Sequence, residues 1–129
     1  MRIPGLKLDG ALDELPWRST REPGIAWIDL GAEPGVDAMT VLIRMDPGCG
    51  YPRHRHLGAE DVLVLAGGYE DDDGRRCVAG DFVRYSAGSS HAPCALGDAG
   101  SPAGEDNPAC ILFAVAHGGT ERVEPEGER

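Results

Sequence analysis

The feature that most constrains the fold of this chain is how often turn-forming residues interrupt it. The 129 residues include 19 glycines and 10 prolines, so few stretches are long enough to form a stable helix. Between the interruptions lie short segments of β-strand character, at 25–30, 38–45, 81–86 and 110–117. Short strands separated by turns every 8–12 residues or so are typical of an all-β sandwich or barrel. We therefore predict one all-β domain.

The apolar pattern of two segments predicts how their strands are covered. In 38–45, Met39, Val41, Ile43 and Met45 alternate with other residues, so we expect them on one buried face. Segment 61–67, DVLVLAG, is apolar on both faces. Such a strand is usually covered on both sides, here by an N-terminal arm or by a partner subunit. Cover by a partner predicts a homodimer.

The segment YEDDDGRRCV (69–78) predicts a β-hairpin. Asp73 and Gly74 form a strong two-residue turn signal between strand-like flanks. A calcium loop is the alternative, because three aspartates stand in a row. Their spacing lacks the alternation of such a loop, and no glutamate closes it. We therefore interpret the aspartates as a solvated turn.

Turn residues and charge also predict the limits of the domain. We expect residues 1–24 to form an arm that packs on the barrel, and residues 25–117 to form the barrel itself. Residues 97–109 are rich in glycine, proline and aspartate and predict a long loop. The charged, apolar-poor residues 118–129 predict a flexible acidic tail.

Charge and apolar content exclude some partners. The chain has 12 Lys+Arg and 22 Asp+Glu, a net charge of −10, which argues against nucleic acid as a partner. The first residues lack a secretory segment, and no apolar run is long enough to span a membrane. We expect a cytoplasmic protein. Its four cysteines form no C-x-x-C pair, as is typical of free thiols in a reducing compartment.

Four residues form the candidate metal site. His54 and His56 are two apart, so on a strand both side chains point to the same face. Glu60 has the same parity, and Gly58 lets the chain bend between them. Two histidines and a carboxylate suit Fe(II), Mn(II), Ni(II), Co(II) or Zn(II). A neighbouring antiparallel strand could bring His91 to the same point, so we predict that these four residues bind one divalent ion.

Two further residues could in principle bind a metal or line the pocket. Cys94 lies three residues after His91, so on a strand it should face away from the ion, and we interpret it as a buried packing thiol. His117 ends an apolar strand and either lines the cavity or lies at the surface. Alternation leaves open which of three further side chains enters the pocket: Arg44, Arg84 or Tyr85.

These residues resemble the two sequence motifs of the cupin superfamily. The first motif is a glycine, five residues, H-x-H, three residues, glutamate, six residues and glycine; here its positions hold Gly48, His54, His56, Glu60 and Gly67. In the second motif, Gly80, Gly88 and His91 match. Ser86 replaces the usual proline and Ala95 the usual asparagine, and neither is a ligand position.

The chain more specifically resembles the ChrR-like cupins, the cupin-like domain of an anti-sigma factor and its relatives. The likeness lies in PWRSTREPGIAWIDL, RMDPGCGYPRHRHLGAEDVLVLAGGYED and GDFVRYSAGSSHAP. It implies a jelly-roll β-barrel that holds one divalent metal ion, Fe, Zn, Mn or Ni, by three histidines and a glutamate. Related small cupins resemble metal-dependent dioxygenases that cleave carbon–carbon bonds of β-diketones or hydroxylated aryl ketones.

The sequence is compatible with an enzyme and with a binding module. Four protein ligands leave two positions of an octahedral iron, manganese or nickel ion open, which suits a dioxygenase-like enzyme acting on a small oxygenated molecule. The same ligands would close a tetrahedral zinc site, as in a non-catalytic ChrR-like sensor or interaction module. Because only residues 1–24 precede the first strand, we do not expect a stand-alone anti-sigma role. A metal-free fold is the third reading, and the filled ligand positions disfavour it.

Overall fold

A computed structural model describes residues 10–123 of the chain. A short 3₁₀ helix spans Gly10–Glu14 and precedes twelve β-strands in this range. The strands are β1 (Arg18–Ser19), β2 (Ile25–Ala32), β3 (Ala38–Met45), β4 (His54–His56), β5 (Glu60–Ala66), β6 (Gly68–Glu70), β7 (Arg76–Val78), β8 (Phe82–Tyr85), β9 (Ser90–His91), β10 (Cys94–Ala95), β11 (Cys110–His117) and β12 (Thr120–Arg122).

The strands form three antiparallel sheets. The largest has six strands in the order β1-β2-β3-β11-β5-β8. Two three-stranded sheets have the orders β10-β6-β7 and β12-β4-β9. Residues 10–123 contain no α-helix, so the all-β prediction is confirmed. No helix in the described part of the chain is long and apolar enough to cross a membrane.

The core lies between the sheets and follows the alternation read from the sequence. Val41 and Met45 are 4% and 0% exposed, and the partly buried Met39 packs on the same cluster. The cluster also contains Tyr69 and Cys77 from the small β10-β6-β7 sheet, so two sheets share one core. Full burial of side chains of this size contributes about 1.5–3 kcal/mol each.

Part of the N-terminal arm lies on the outer face of the large sheet. Leu12 in the 3₁₀ helix is 1% exposed, and Asp13 pairs with Arg44 of β3 at 2.8 Å. Arg44 has the opposite parity to Met45, so it marks the face away from the shared core. Residues 18–19 extend the sheet by pairing with β2. Residues 1–9 lie outside the described range.

The outward face of β5 is only partly covered within the described residues. Leu63 is 36% exposed, and Phe82, its register partner on β8, is 62% exposed. Within residues 10–24, the arm therefore leaves Leu63 exposed. Cover by a partner subunit stays a prediction.

The segment 69–78 forms the predicted hairpin between β6 and β7. The Asp71 amide donates to the Arg75 carbonyl at 2.8 Å, and the Gly74 amide donates to the Asp71 carbonyl at 2.9 Å. Gly74 has a φ of 88°, which favours glycine. The interpretation of a wholly solvated turn is wrong, however, because Asp71 is 6% exposed.

Part of the segment predicted to be a flexible tail forms a β-strand. Thr120–Arg122 forms β12 and pairs antiparallel with β4, with Thr120 opposite His56 and Arg122 opposite His54. The pairing gives the strand that carries both histidines a neighbour on each side, because β9 pairs with its other edge. Residues 124–129 lie outside the described range.

Candidate metal centre

Strand pairing brings three histidines together. His54 and His56 lie on β4, and His91 on β9 is the register partner of His54. Their ring centroids are 4.6–5.2 Å apart, and one ligand atom of each lies within 4.8 Å of the others. The i, i+2 spacing supplies the first two rings and the antiparallel register supplies the third.

Hydrogen bonds at Nδ1 fix the tautomer of each ring. His54 Nδ1 lies 3.0 Å from the Pro52 carbonyl, which can only accept, so this nitrogen carries the proton. His56 Nδ1 lies 3.2 Å from Ser89 Oγ. That hydroxyl donates to the Ser86 carbonyl at 2.6 Å and therefore accepts from the imidazole. In both rings Nε2 retains its lone pair, as a metal ligand requires.

His91 is held in the same tautomer by a carboxylate. Its Nδ1 lies 2.8 Å from Asp71 Oδ1, and both side chains are buried. Burial raises the pKa of Asp71, but hydrogen bonds from His91 and Tyr85 outweigh this and hold it below its ordinary value. The ionised carboxylate accepts the Nδ1 proton and leaves Nε2 unprotonated.

One buried atom has no partner. Among the side-chain nitrogens and oxygens of residues 10–123, His56 Nε2 is the buried atom with no hydrogen bond. His56 is 1% exposed, and an unsatisfied buried polar atom costs about 1–3 kcal/mol. A cation bound at this lone pair would remove the cost, so the donor set fits a metal ion.

Glu60 lies beside the histidines at the start of β5. Its Oε1 is 3.8 Å from His56 Nε2, which is beyond hydrogen-bonding distance. Between His56 and Glu60 the chain passes close to the end of β11 at Gly58, where a Cβ would lie 1.3 Å from the His117 carbonyl oxygen. Only glycine permits this close passage. Burial raises the pKa of Glu60, and attraction to His91 opposes this. A cation beside the carboxyl would favour its ionised form.

Burial also makes the two histidines of β4 poor bases. It lowers the pKa of His54. It lowers the pKa of His56 to about 4, with repulsion from His91 and His54 as further causes. Both rings are therefore neutral near pH 7, the state in which imidazole binds metals.

The sequence did not predict a role for Asp71, whose carboxylate accepts the hydrogen bond from His91 Nδ1. Its second oxygen accepts from the Tyr85 hydroxyl at 2.8 Å. Tyr85 in turn accepts from Tyr69, since its own proton is given to Asp71. Three hydrogen bonds thus link the core residue Tyr69 to the ring of His91. No spacing rule separates Asp71 from the two aspartates that follow it.

A cavity of about 570 Å³ opens onto these residues. His54, Glu60 and His91 line it together with Tyr51 and Tyr85. The remaining wall is largely apolar and includes Trp27, Met39, Val41, Ile43, Met45, Val62 and Leu112. Pockets of this size and composition bind small molecules.

The other candidates lie outside the centre. Cys94 faces away, as predicted, but it is exposed and bonds to the Gly48 carbonyl, so the prediction of burial is wrong. All four cysteines are free. His117 is exposed at the end of β11. Of the three pocket candidates left open, Tyr85 enters, whereas Arg44 and Arg84 form ion pairs with Asp46 and Asp61.

A small antiparallel barrel with inward-facing histidines on neighbouring strands defines a cupin. The family described as the ChrR cupin-like domain matches residues 9–101. The chain therefore belongs to the ChrR-like cupins. Comparison with curated proteins finds no match.

Solved structures agree with this assignment. ChrR in complex with SigE, from Rhodobacter sphaeroides, is 28% identical, with a TM-score of 0.63 over 81% of this chain and 50% of that one. A cupin-like protein of unknown function from Ralstonia eutropha is 20% identical, with a TM-score of 0.68 over 81% and 61%. This chain thus spans about half to two thirds of these two relatives.

An enzyme of known activity shares the fold. The acetylacetone dioxygenase from Acinetobacter johnsonii is 17% identical, with a TM-score of 0.67 over 81% of this chain and 67% of that one. At this identity the match shows the fold alone.

Proposed function

We propose that His54, His56, Glu60 and His91 bind one divalent metal ion and that the protein is a metal-dependent, dioxygenase-like enzyme acting on a small oxygenated molecule. The observation that carries the proposal is the convergence of the three imidazoles beside the cavity, each with its Nδ1 proton donated to a partner. The unpartnered Nε2 of His56 supports it.

The bound ion would supply Lewis-acid activation and a template for the substrate. The protein's own residues would do the rest. The three histidines and Glu60 would hold the ion, and a substrate oxygen could bind beside them. The apolar wall, with Val41 and Leu112, excludes water from the reacting molecule. Asp71 holds the His91 ring in its ligating orientation.

The acetylacetone dioxygenase with the same fold suggests β-diketones as the first substrates to test. The cavity volume of about 570 Å³ is within the range of small-molecule sites.

A second candidate function is a zinc-binding sensor or interaction module without catalysis. The family match and the 28% identity to ChrR, solved in complex with SigE, favour this candidate. Zinc prefers four ligands, and the four residues above would close its coordination.

Metal analysis and oxygen uptake distinguish the two candidates. The protein is produced without added metal, analysed for its metals, loaded with Fe(II) and tested for oxygen uptake with acetylacetone and 2-hydroxyacetophenone. We expect uptake that His56→Gln abolishes. Arg55→Gln is the matched control, since Arg55 lies on the same strand, is exposed and pairs with Glu121.

Stoichiometric zinc in the purified protein, with no uptake by the iron-loaded form, would refute the oxygenase proposal and favour the module. Uptake that survives in His56→Gln would show that the activity does not depend on this site.

A further inference from the structure

The hydroxyl of Tyr51 has an unusual place in the cavity. Trp27 Nε1 is hydrogen-bonded to Tyr51 Oη, and both side chains line the cavity. An indole nitrogen can only donate. The Tyr51 oxygen therefore accepts from Trp27, and its own proton is left to donate elsewhere.

The structure records no acceptor for that proton among residues 10–123. The other two tyrosines differ in this respect, because Tyr85 donates to Asp71 and Tyr69 donates to Tyr85. Among the tyrosines of the described range, Tyr51 is thus the one whose hydroxyl proton has no acceptor within the protein. Of the three, only Tyr51 can offer a hydrogen bond to a molecule in the cavity without breaking one inside the protein.

The backbone fixes Tyr51 beside the metal centre. Its amide donates to the Pro93 carbonyl at 3.1 Å, and the preceding Gly50 forms a bridge with Cys94. A Cβ on Gly50 would lie 2.3 Å from the Pro93 oxygen, so glycine is what permits the approach. The Tyr51 ring then meets the His54 ring edge-on at 5.8 Å.

We propose that Tyr51 donates a hydrogen bond to an oxygen of the molecule held at the metal centre, and that it thereby determines ligand specificity. The inference rests on the proposed metal site and narrows its ligand class. A fitting ligand binds the ion through one oxygen, offers a second oxygen to Tyr51 and packs an apolar remainder against Val41, Ile43 and Leu112. β-Diketones and hydroxylated aryl ketones have this form.

Binding to the nickel-loaded protein in the absence of oxygen tests the inference apart from turnover, because no oxidant is then present. Nickel is used because four protein ligands would leave it positions for a further ligand, whereas they would close the coordination of zinc. Calorimetry compares acetylacetone with imidazole, which can bind the ion but carries no oxygen. In Tyr51→Phe we expect acetylacetone affinity to fall about 2–13-fold, as for the loss of one hydrogen bond. Imidazole affinity, nickel content and melting temperature should stay at wild-type values.

Trp27→Phe is the second variant. It keeps the Tyr51 hydroxyl but removes the group that orients it, so we expect a smaller loss of acetylacetone affinity. Equal acetylacetone affinity in wild type and Tyr51→Phe would overturn the inference. An equal loss of imidazole affinity would also overturn it, because that loss would indicate a structural effect. So would a wild-type protein that binds neither acetylacetone nor 2-hydroxyacetophenone at about 10 mM.

Failure of the proposed function has a different signature. Tyr51-dependent binding without oxygen uptake by the iron-loaded protein would refute the oxygenase and leave the inference intact. Oxygen uptake by the iron-loaded protein, together with acetylacetone binding that Tyr51→Phe leaves unchanged, would refute the inference and leave the oxygenase proposal intact.

Discussion

Replacing Asp71 by asparagine tests whether a carboxylate positions the third histidine. Asp71 accepts two hydrogen bonds at 2.8 Å, one from His91 and one from Tyr85, and is 6% exposed. Hydrogen bonds to a charged group contribute about 1.5–3 kcal/mol each. An amide can accept only one of them, and its NH₂ group would face the other donor. We expect the metal-free protein to lose about 2–4 kcal/mol of unfolding free energy.

The same change should weaken metal binding, because His91 loses the partner that fixes its tautomer. Loss of such a partner typically costs about 10–100-fold in metal affinity. Urea unfolding with a chelator present measures the first effect, and zinc competition against a chromophoric chelator measures the second. Tyr69 and Tyr85 keep their own contact in both experiments.

The adjacent aspartate provides the control. Asp72 is exposed and pairs with Arg53 at 2.7 Å, and exposed ion pairs contribute about 0–1 kcal/mol. Asp72→Asn should therefore change both quantities little. If Asp71→Asn matched Asp72→Asn within about 0.5 kcal/mol and twofold in zinc affinity, the carboxylate would not position His91.

Four further predictions follow from single residues. His91→Ala should lower the bound-metal stoichiometry and, in metal-loaded protein, the melting temperature. In metal-free protein, the free energy of unfolding should fall by up to about 3 kcal/mol as the pH drops from 6.5 to 4, because His56 takes up its proton at a higher pH in the unfolded state than in the folded state. His56→Gln should therefore flatten the pH profile measured by urea unfolding. Gly58→Ala should cost more than about 3 kcal/mol in urea unfolding, whereas Gly104→Ala, with open space around it, should cost under about 1 kcal/mol. Phe82→Lys should convert the predicted homodimer to monomer in sedimentation; a wild-type monomer would refute the dimer.

The convergence of the candidate ligand residues could be predicted in part, because the placement of two histidines follows from backbone periodicity. His54 and His56 share a face on any extended strand, and Glu60 keeps their parity across the bend at Gly58. The placement of His91 needed strand register, for which the sequence offered only a motif. The structure supplies the register, with His54 opposite His91.

Asp71 could not be predicted because hairpin geometry alone decides its direction. Three aspartates share one turn, and local rules make each of them a good turn residue. Asp71 is the last residue before the turn, and its side chain is buried, whereas Asp72 and Asp73 are exposed. The cover predicted for Leu63 is incomplete for a different reason. An apolar side chain predicts burial, but this chain's described residues do not cover it.

The three-residue length of β4 explains why the candidate metal centre is built from distant segments. A strand this short cannot hold two imidazoles in place by itself. It is paired with β9 on one edge and β12 on the other, and the Leu57 amide donates to the Gly119 carbonyl just beyond it. An ion bound by β4, Glu60 and His91 would therefore join segments that lie more than 30 residues apart in sequence. Metal binding at such a site should stabilise the folded barrel as a whole, because the unfolded chain cannot present these ligands together.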